Sequence, residues 1–170
     1  TGTFDASPDI VTRASEWYTS GTEIIFSCGG TIVNSVIQAA KDGDNRKIVG
    51  VDTDEYFTRA ATGAENEPLF VTSAMKELET TIYNAVKAAY AGGADWAYYN
   101  KDYLIMGAKE GAAVIAPYRA ENWNTLTEDD YNAITASATQ LHDALPTEAD
   151  GTNGAPLDGY KYVTVTYFEQ

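Results

Sequence analysis

The sequence predicts an α/β fold, a parallel sheet with helices on both faces. Short apolar, β-branched runs at 23–26 and 47–51 are too brief for helices and read as buried strands. Segments with apolar residues every three or four positions alternate with them, and the joints are short and rich in Gly, Asp and Ser. Strand, helix, strand with short joints requires crossover connections, which parallel strands need and antiparallel ones do not.

Ser7-Pro8-Asp9 opens the first helix: Ser7 can cap it, Pro8 suits the first helical position and Asp9 favours the positive dipole end. Ile10, Val11, Ala14, Trp17 and Tyr18 form its apolar stripe, and Gly21 ends it before the strand 23–26. Cys28, Gly29, Gly30 and Thr31 make a turn into a second helix carried by Ile32, Val33, Val36, Ile37 and Ala40. After the strand 47–51, residues 52–68 read as a long polar surface loop with a helical turn, followed by a strand at 69–72. Residues 74–91 form the longest periodic segment, with Met75, Leu78, Ile82, Val86 and Ala89 on one stripe and Gly92-Gly93 as the stop. Strand-like runs follow at 103–106 and 113–116, with a packed aromatic loop at 96–99 before them. Thr127 and Asp130 form a capping pair for the last helix, and 160–168 is rich enough in Val, Thr and Tyr to close the chain as a strand.

Composition narrows the function. Eleven Lys+Arg against 25 Asp+Glu give a net charge of −14, which repels phosphate backbones and anionic lipids, so a basic nucleic-acid or membrane-surface patch is not expected. One Cys and one His cannot make an internal disulfide or a structural zinc site, and no cofactor is implied. No apolar run reaches the roughly 18 residues that span a bilayer. The first ten residues lack the regions of a signal peptide.

Several residues can carry chemistry. Gly29 and Gly30 stand between a strand and a helix, where free amides at the carboxyl edge of the sheet hold anionic or hydroxyl-rich groups; the same pattern serves a turn needing positive φ. Asp52 and Asp54 follow the next strand at that edge, and carboxylates there accept from sugar hydroxyls, hold Mg²⁺ or act as nucleophile and acid. Lys76, read as the start of the long helix, opposes the helix dipole, which marks it either for a ligand or for pairing near Glu79. Phe26 is either core or a stacking platform. His142 reads as a C-terminal helix cap, and Cys28 as a small turn residue.

In order, TGTFD at 1–5, IIFSCGGT at 24–31 with NSV at 34–36, VGVDTD at 49–54, VTSAMK at 71–76 and GAKEG at 107–111 resemble the basic membrane protein family. These are substrate-binding lipoproteins of ABC importers, purine-nucleoside receptors among them. The resemblance implies a type I periplasmic-binding-protein fold, of which this chain holds mostly the second lobe. Residues 1–72 and 113–170 would build that lobe, and 73–112 would cross the hinge to complete a first lobe whose bulk is absent. It further implies that Phe26 stacks on a base, that Gly29, Gly30 and Asp52 bind ribose, and that Lys76 adds a polar contact. The family's Gln after the second Asp is Glu55 here. The implied partners are a nucleoside-like ligand, an ABC permease, and either a second copy or the missing lobe. The implied location is extracytoplasmic, lipid-anchored in the full-length form, without catalysis. Two other readings stand beside it: a Mg²⁺-dependent phosphotransfer enzyme using Asp52 and Asp54, and the effector-binding domain of a sensor or regulator.

Overall fold

The computed structural model describes residues 4–61, 69–101, 104, 106–123 and 125–141. The elements run α1 (Pro8–Thr19), β1 (Ile24–Phe26), α2 (Ile32–Lys41), β2 (Lys47–Asp52), α3 (Glu55–Ala61), β3 (Phe70–Lys76), α4 (Leu78–Ala91), α5 (Gly93–Tyr99), β4 (Ala113–Ile115) and α6 (Glu128–Leu141). The sheet has the order β1-β2-β3-β4. β1, β2 and β3 are parallel, with Phe26 level with Val49 and Val51 level with Ala74. β4 runs antiparallel to β3, pairing Ala113 with Lys76, so the sheet is mixed where the sequence led us to expect a parallel one. The reason is local: the turn at 107–111 folds back through Ala112 N–H donating to Gly107 O, and Glu77 N–H donates to Ala112 O, delivering the chain to the carboxyl end of β3.

One face of the sheet carries the main core. Ala14 and Tyr18 of α1, with Val33, Val36, Ile37 and Ala40 of α2, surround Ile25, Ile48 and Phe70. Ile25 is level with Ile48, and Ile48 with Phe70, so alternation brings these strand residues to the same side. α1 starts as its residues require, with Ser7 Oγ accepting from Ile10 N–H and Pro8 in the first turn. Gly50 lets α3 come close, because a Cβ there would stand 2.6 Å from both Glu55 Cγ and Ser73 Oγ. On the opposite face lies α6: the Tyr131 hydroxyl donates to Ala116 O and meets Thr72 Oγ1 at 2.7 Å. Thr127 Oγ1 caps the helix by accepting from Asp130 N–H, and Asp130 Oδ2 accepts in return from the Thr127 hydroxyl, which holds the Asp130 carboxyl below its ordinary range.

Other sequence expectations shift. β3 extends to Lys76, so Met75 and Lys76 lie on a strand and α4 begins only at Leu78. Residues 93–99 form α5 in place of a loop, and α3 occupies the first part of the polar segment. Leu104 and Met106 lie in no strand, and Tyr103 and Ile105 fall outside the described residues, as do His142 and the closing strand at 160–168. Leu78, Ile82, Val86 and Tyr90 of α4 are exposed, a continuous apolar stripe at helical spacing.

Tyr18 makes the core sensitive to alkali. Its hydroxyl donates to Lys47 O at 2.7 Å, and burial pushes its pKa up to about 12 against the partial relief of the Arg46 guanidinium, 5.3 Å from the ring centre. The unfolded chain loses this proton near pH 10 and the folded chain near 12, so stability should fall as pH rises through that window. Tyr18→Phe should flatten this fall in denaturant melts taken from pH 9 to 12, and an unchanged slope would remove Tyr18 as its source.

Candidate functional site

A cavity of about 630 Å³ opens at the carboxyl edge of the sheet, within the size range of small-molecule sites. Phe26, Gly29, Gly30, Asp52 and Lys76 all line it. The order of the strands explains the gathering. Phe26 ends β1, Asp52 ends β2 and Lys76 ends β3, so parallel neighbours present their last residues side by side. Phe26 is 54% exposed and lines the cavity, outside the core cluster.

The glycine turn is shaped by the chain's first described residues. Gly29 and Gly30 have φ of +148° and +40°, and a Cβ on Gly30 would sit 2.8 Å from Phe4 O, so the close approach of that backbone needs glycine. Thr31 N–H donates to Phe4 O, the Thr31 hydroxyl accepts from Ala6 N–H, and Ser35 Oγ accepts from Ser7 N–H. This latch lays Phe4 over the turn and makes it part of the cavity wall. Gly29 N–H is turned inward to Ser27 O, whereas the Gly30 N–H makes no hydrogen bond to a described residue.

Asp52 and Lys76 form an ion pair at 2.7 Å, with both side chains more than half exposed. The Asp52 hydrogen bond and charge raise the Lys76 pKa above its ordinary value. The dipole argument for Lys76 does not apply, since it ends a strand and pairs with Asp52. The two charges cancel, so the pair offers the cavity an acceptor and a donor without adding net charge. Val51, Ala74, Met75 and Ile115 supply an apolar floor, and Ile134 and Thr135 of α6 a wall.

Asp54 is not part of this cavity. Its carboxylate meets Arg119 at 2.5 Å and accepts from Phe57 N–H, while Asp52 turns to Lys76. The two carboxylates therefore face different cations, which is not the shared arrangement a Mg²⁺ site would need. Among the described residues no group of three or more His, Cys, Asp or Glu side chains is gathered. Phe4 and α6 entered the cavity wall unforeseen; TGTFD was the only signal for the first, and nothing in the periodicity of α6 pointed to the second.

No curated protein matches the chain. Among solved structures, a solute-binding protein of an ABC transporter system from Aeropyrum pernix K1 is similar over 88% of this chain, at 20% identity and a TM-score of 0.43. The chain spans 40% of that protein's length. The profile of the Bmp family, described as PnrA-like ABC transporter substrate-binding proteins, matches residues 1–147. Covering most of the 170 residues, this match places the chain in the Bmp family of ABC transporter substrate-binding proteins.

Proposed function

We propose that the chain is the ligand-binding part of an extracytoplasmic receptor for an ABC importer, and that it holds a nucleoside or a similar small polar solute in the cavity at the sheet edge. The observation that supports this most is the convergence of Phe26, Gly29, Gly30, Asp52 and Lys76 on one cavity of about 630 Å³. A planar ring stacks on Phe26. Asp52 accepts from ligand hydroxyls, the Gly30 amide and Lys76 donate, and the apolar floor excludes water from these bonds. In keeping with a family of transporter substrate-binding proteins, the solute leaves as it came.

The domain assignment goes with this reading. Residues 1–72 and 113–170 belong to the second lobe in this reading, together with 73–76, which complete β3 of the same sheet, and the segment from 77 to 112 crosses the hinge toward a first lobe. The exposed stripe Leu78, Ile82, Val86 and Tyr90 fits a helix whose cover lies outside the described residues. The partner that receives the solute is the importer's permease, and a lipid anchor on the full-length protein holds the receptor at the membrane. No described helix is long and apolar enough to cross it.

Titration calorimetry of the protein carrying both lobes against adenosine, guanosine, inosine and uridine tests the proposal. Saturable heat with one site per chain is expected, with the nucleoside recovered unaltered. Absence of binding to any of the four, or their conversion to products, would contradict it.

A further inference from the structure

Asp52 has a backbone conformation that its surroundings must enforce. Its φ is +69°, a region that residues with a side chain seldom occupy, and Thr53 N–H donates to Val51 O at 2.8 Å, closing a three-residue turn around it. Such conformations persist where neighbouring contacts over-determine them, and they cluster at ligand sites. Two contacts fix the chain just after Asp52. Ser73 Oγ accepts from Glu55 N–H at 3.1 Å, and Asp54 spans Phe57 N–H and the Arg119 guanidinium.

Arg119 is itself held. Its guanidinium stands 4.4 Å from the centre of the Tyr56 ring, and the Tyr56 hydroxyl donates to Glu121 beyond it. The Arg119–Asp54 pair is mostly shielded, with side chains 18% and 17% exposed, against 66% and 51% for Lys76 and Asp52. A shielded charge pair resists separation because each partner, left alone, would be a poorly solvated ion. Arg119 also comes from a distant part of the chain, 65 residues beyond Asp54, on the segment that leaves β4. β4 pairs with the end of β3, where Lys76 lies. The ion pair therefore ties the exit of β4 to the turn after β2, across the strand that carries Lys76.

We propose that Arg119 is a positioning residue for the cavity: through Asp54 it locks the turn around Asp52, so that the Asp52 carboxylate stays against Lys76 and faces the ligand. Its consequence for binding rests on the receptor reading above, but its structural content does not, and the test uses no ligand.

The test follows the Lys76 ammonium by ¹³Cε NMR titration of the isotope-labelled chain, with folding checked by circular dichroism. Asp52→Asn should lower the Lys76 midpoint toward the ordinary lysine value, because Asp52 is the main cause of its elevation. Arg119→Gln should reproduce that fall, Arg119→Lys should restore the midpoint, and Arg119→Gln should add nothing once Asp52→Asn is present. Losing a nearby positive charge would by itself move the midpoint upward, so a fall reports the departure of Asp52. If Arg119→Gln does not fold, Arg119→Met, which keeps the packing on Tyr56, takes its place with the same expectations. A wild-type midpoint in either folded variant, or a fall that persists in the Asp52→Asn background, would overturn the proposal. So would an Asp52→Asn midpoint equal to wild type. A cavity that binds no nucleoside while these shifts appear would sink the receptor reading and leave the positioning role standing.

Discussion

Phe70→Ala is expected to remove about 3–5 kcal/mol of folding stability, the usual cost of deleting a fully buried aromatic side chain and leaving part of its volume empty. Phe70 is 0% exposed, it begins β3 level with Ile48, and the Arg59 guanidinium covers its ring at 5.3 Å. The site cannot collapse easily, since the surrounding positions are regular strand and helix residues such as Ile25, Ile48 and Val36, fixed by their own elements. Against a typical total of about 5–15 kcal/mol, such a loss leaves the chain near its unfolding threshold. Val86→Ala is the control: Val86 is half exposed on α4, and its truncation should change stability by less than about 0.5 kcal/mol. Urea melts of both variants check the contrast, and equal effects would mean that the core does not centre on the sheet face under α1 and α2.

The second large effect concerns binding. Asp52→Asn should weaken nucleoside affinity by about tenfold or more, since a desolvated hydrogen bond to a charged acceptor contributes more than a neutral one. Asparagine is the right replacement because it keeps the size of the side chain and tolerates positive φ, whereas alanine would also strain the turn. Lys76→Ala should act in the same direction, and the double variant should lose less than the sum of the two, because the side chains are already partners at 2.7 Å. Calorimetry of the four proteins forms the cycle. Strict additivity would show that the two residues meet the ligand independently, and unchanged affinity in both would leave the pair structural.

Much of the site was legible because its signals are local. The cap at Ser7-Pro8, the glycine turn and the carboxylate after β2 are each set by residues a few positions apart, and parallel topology brings the strand ends together. The error at 74–76 has a physical cause. Ala74, Met75 and Lys76 are good helix formers, and their spacing continues the stripe of α4, yet pairing of Ala74 and Met75 with both β2 and β4, and of Lys76 with β4, holds them extended. Tertiary pairing outweighed intrinsic preference, and it turned Lys76 from a misplaced helix charge into the end of a strand. The antiparallel β4 was hidden for a related reason: its direction depends on the fold-back at Gly107 and Ala112, which the composition of 113–116 does not report. Arg119 could not have been found from sequence, as its partner lies 65 residues away and no motif joins them.

The most direct test of the account is a ¹⁵N NMR titration of the protein carrying both lobes with inosine, followed residue by residue. The account predicts that the largest backbone shifts fall together on Phe26, Gly29, Gly30, Asp52 and Lys76, saturate at one equivalent, and need a higher inosine concentration to saturate in Asp52→Asn. Shifts that leave these five residues still while moving others, or no shifts at millimolar inosine, would contradict it.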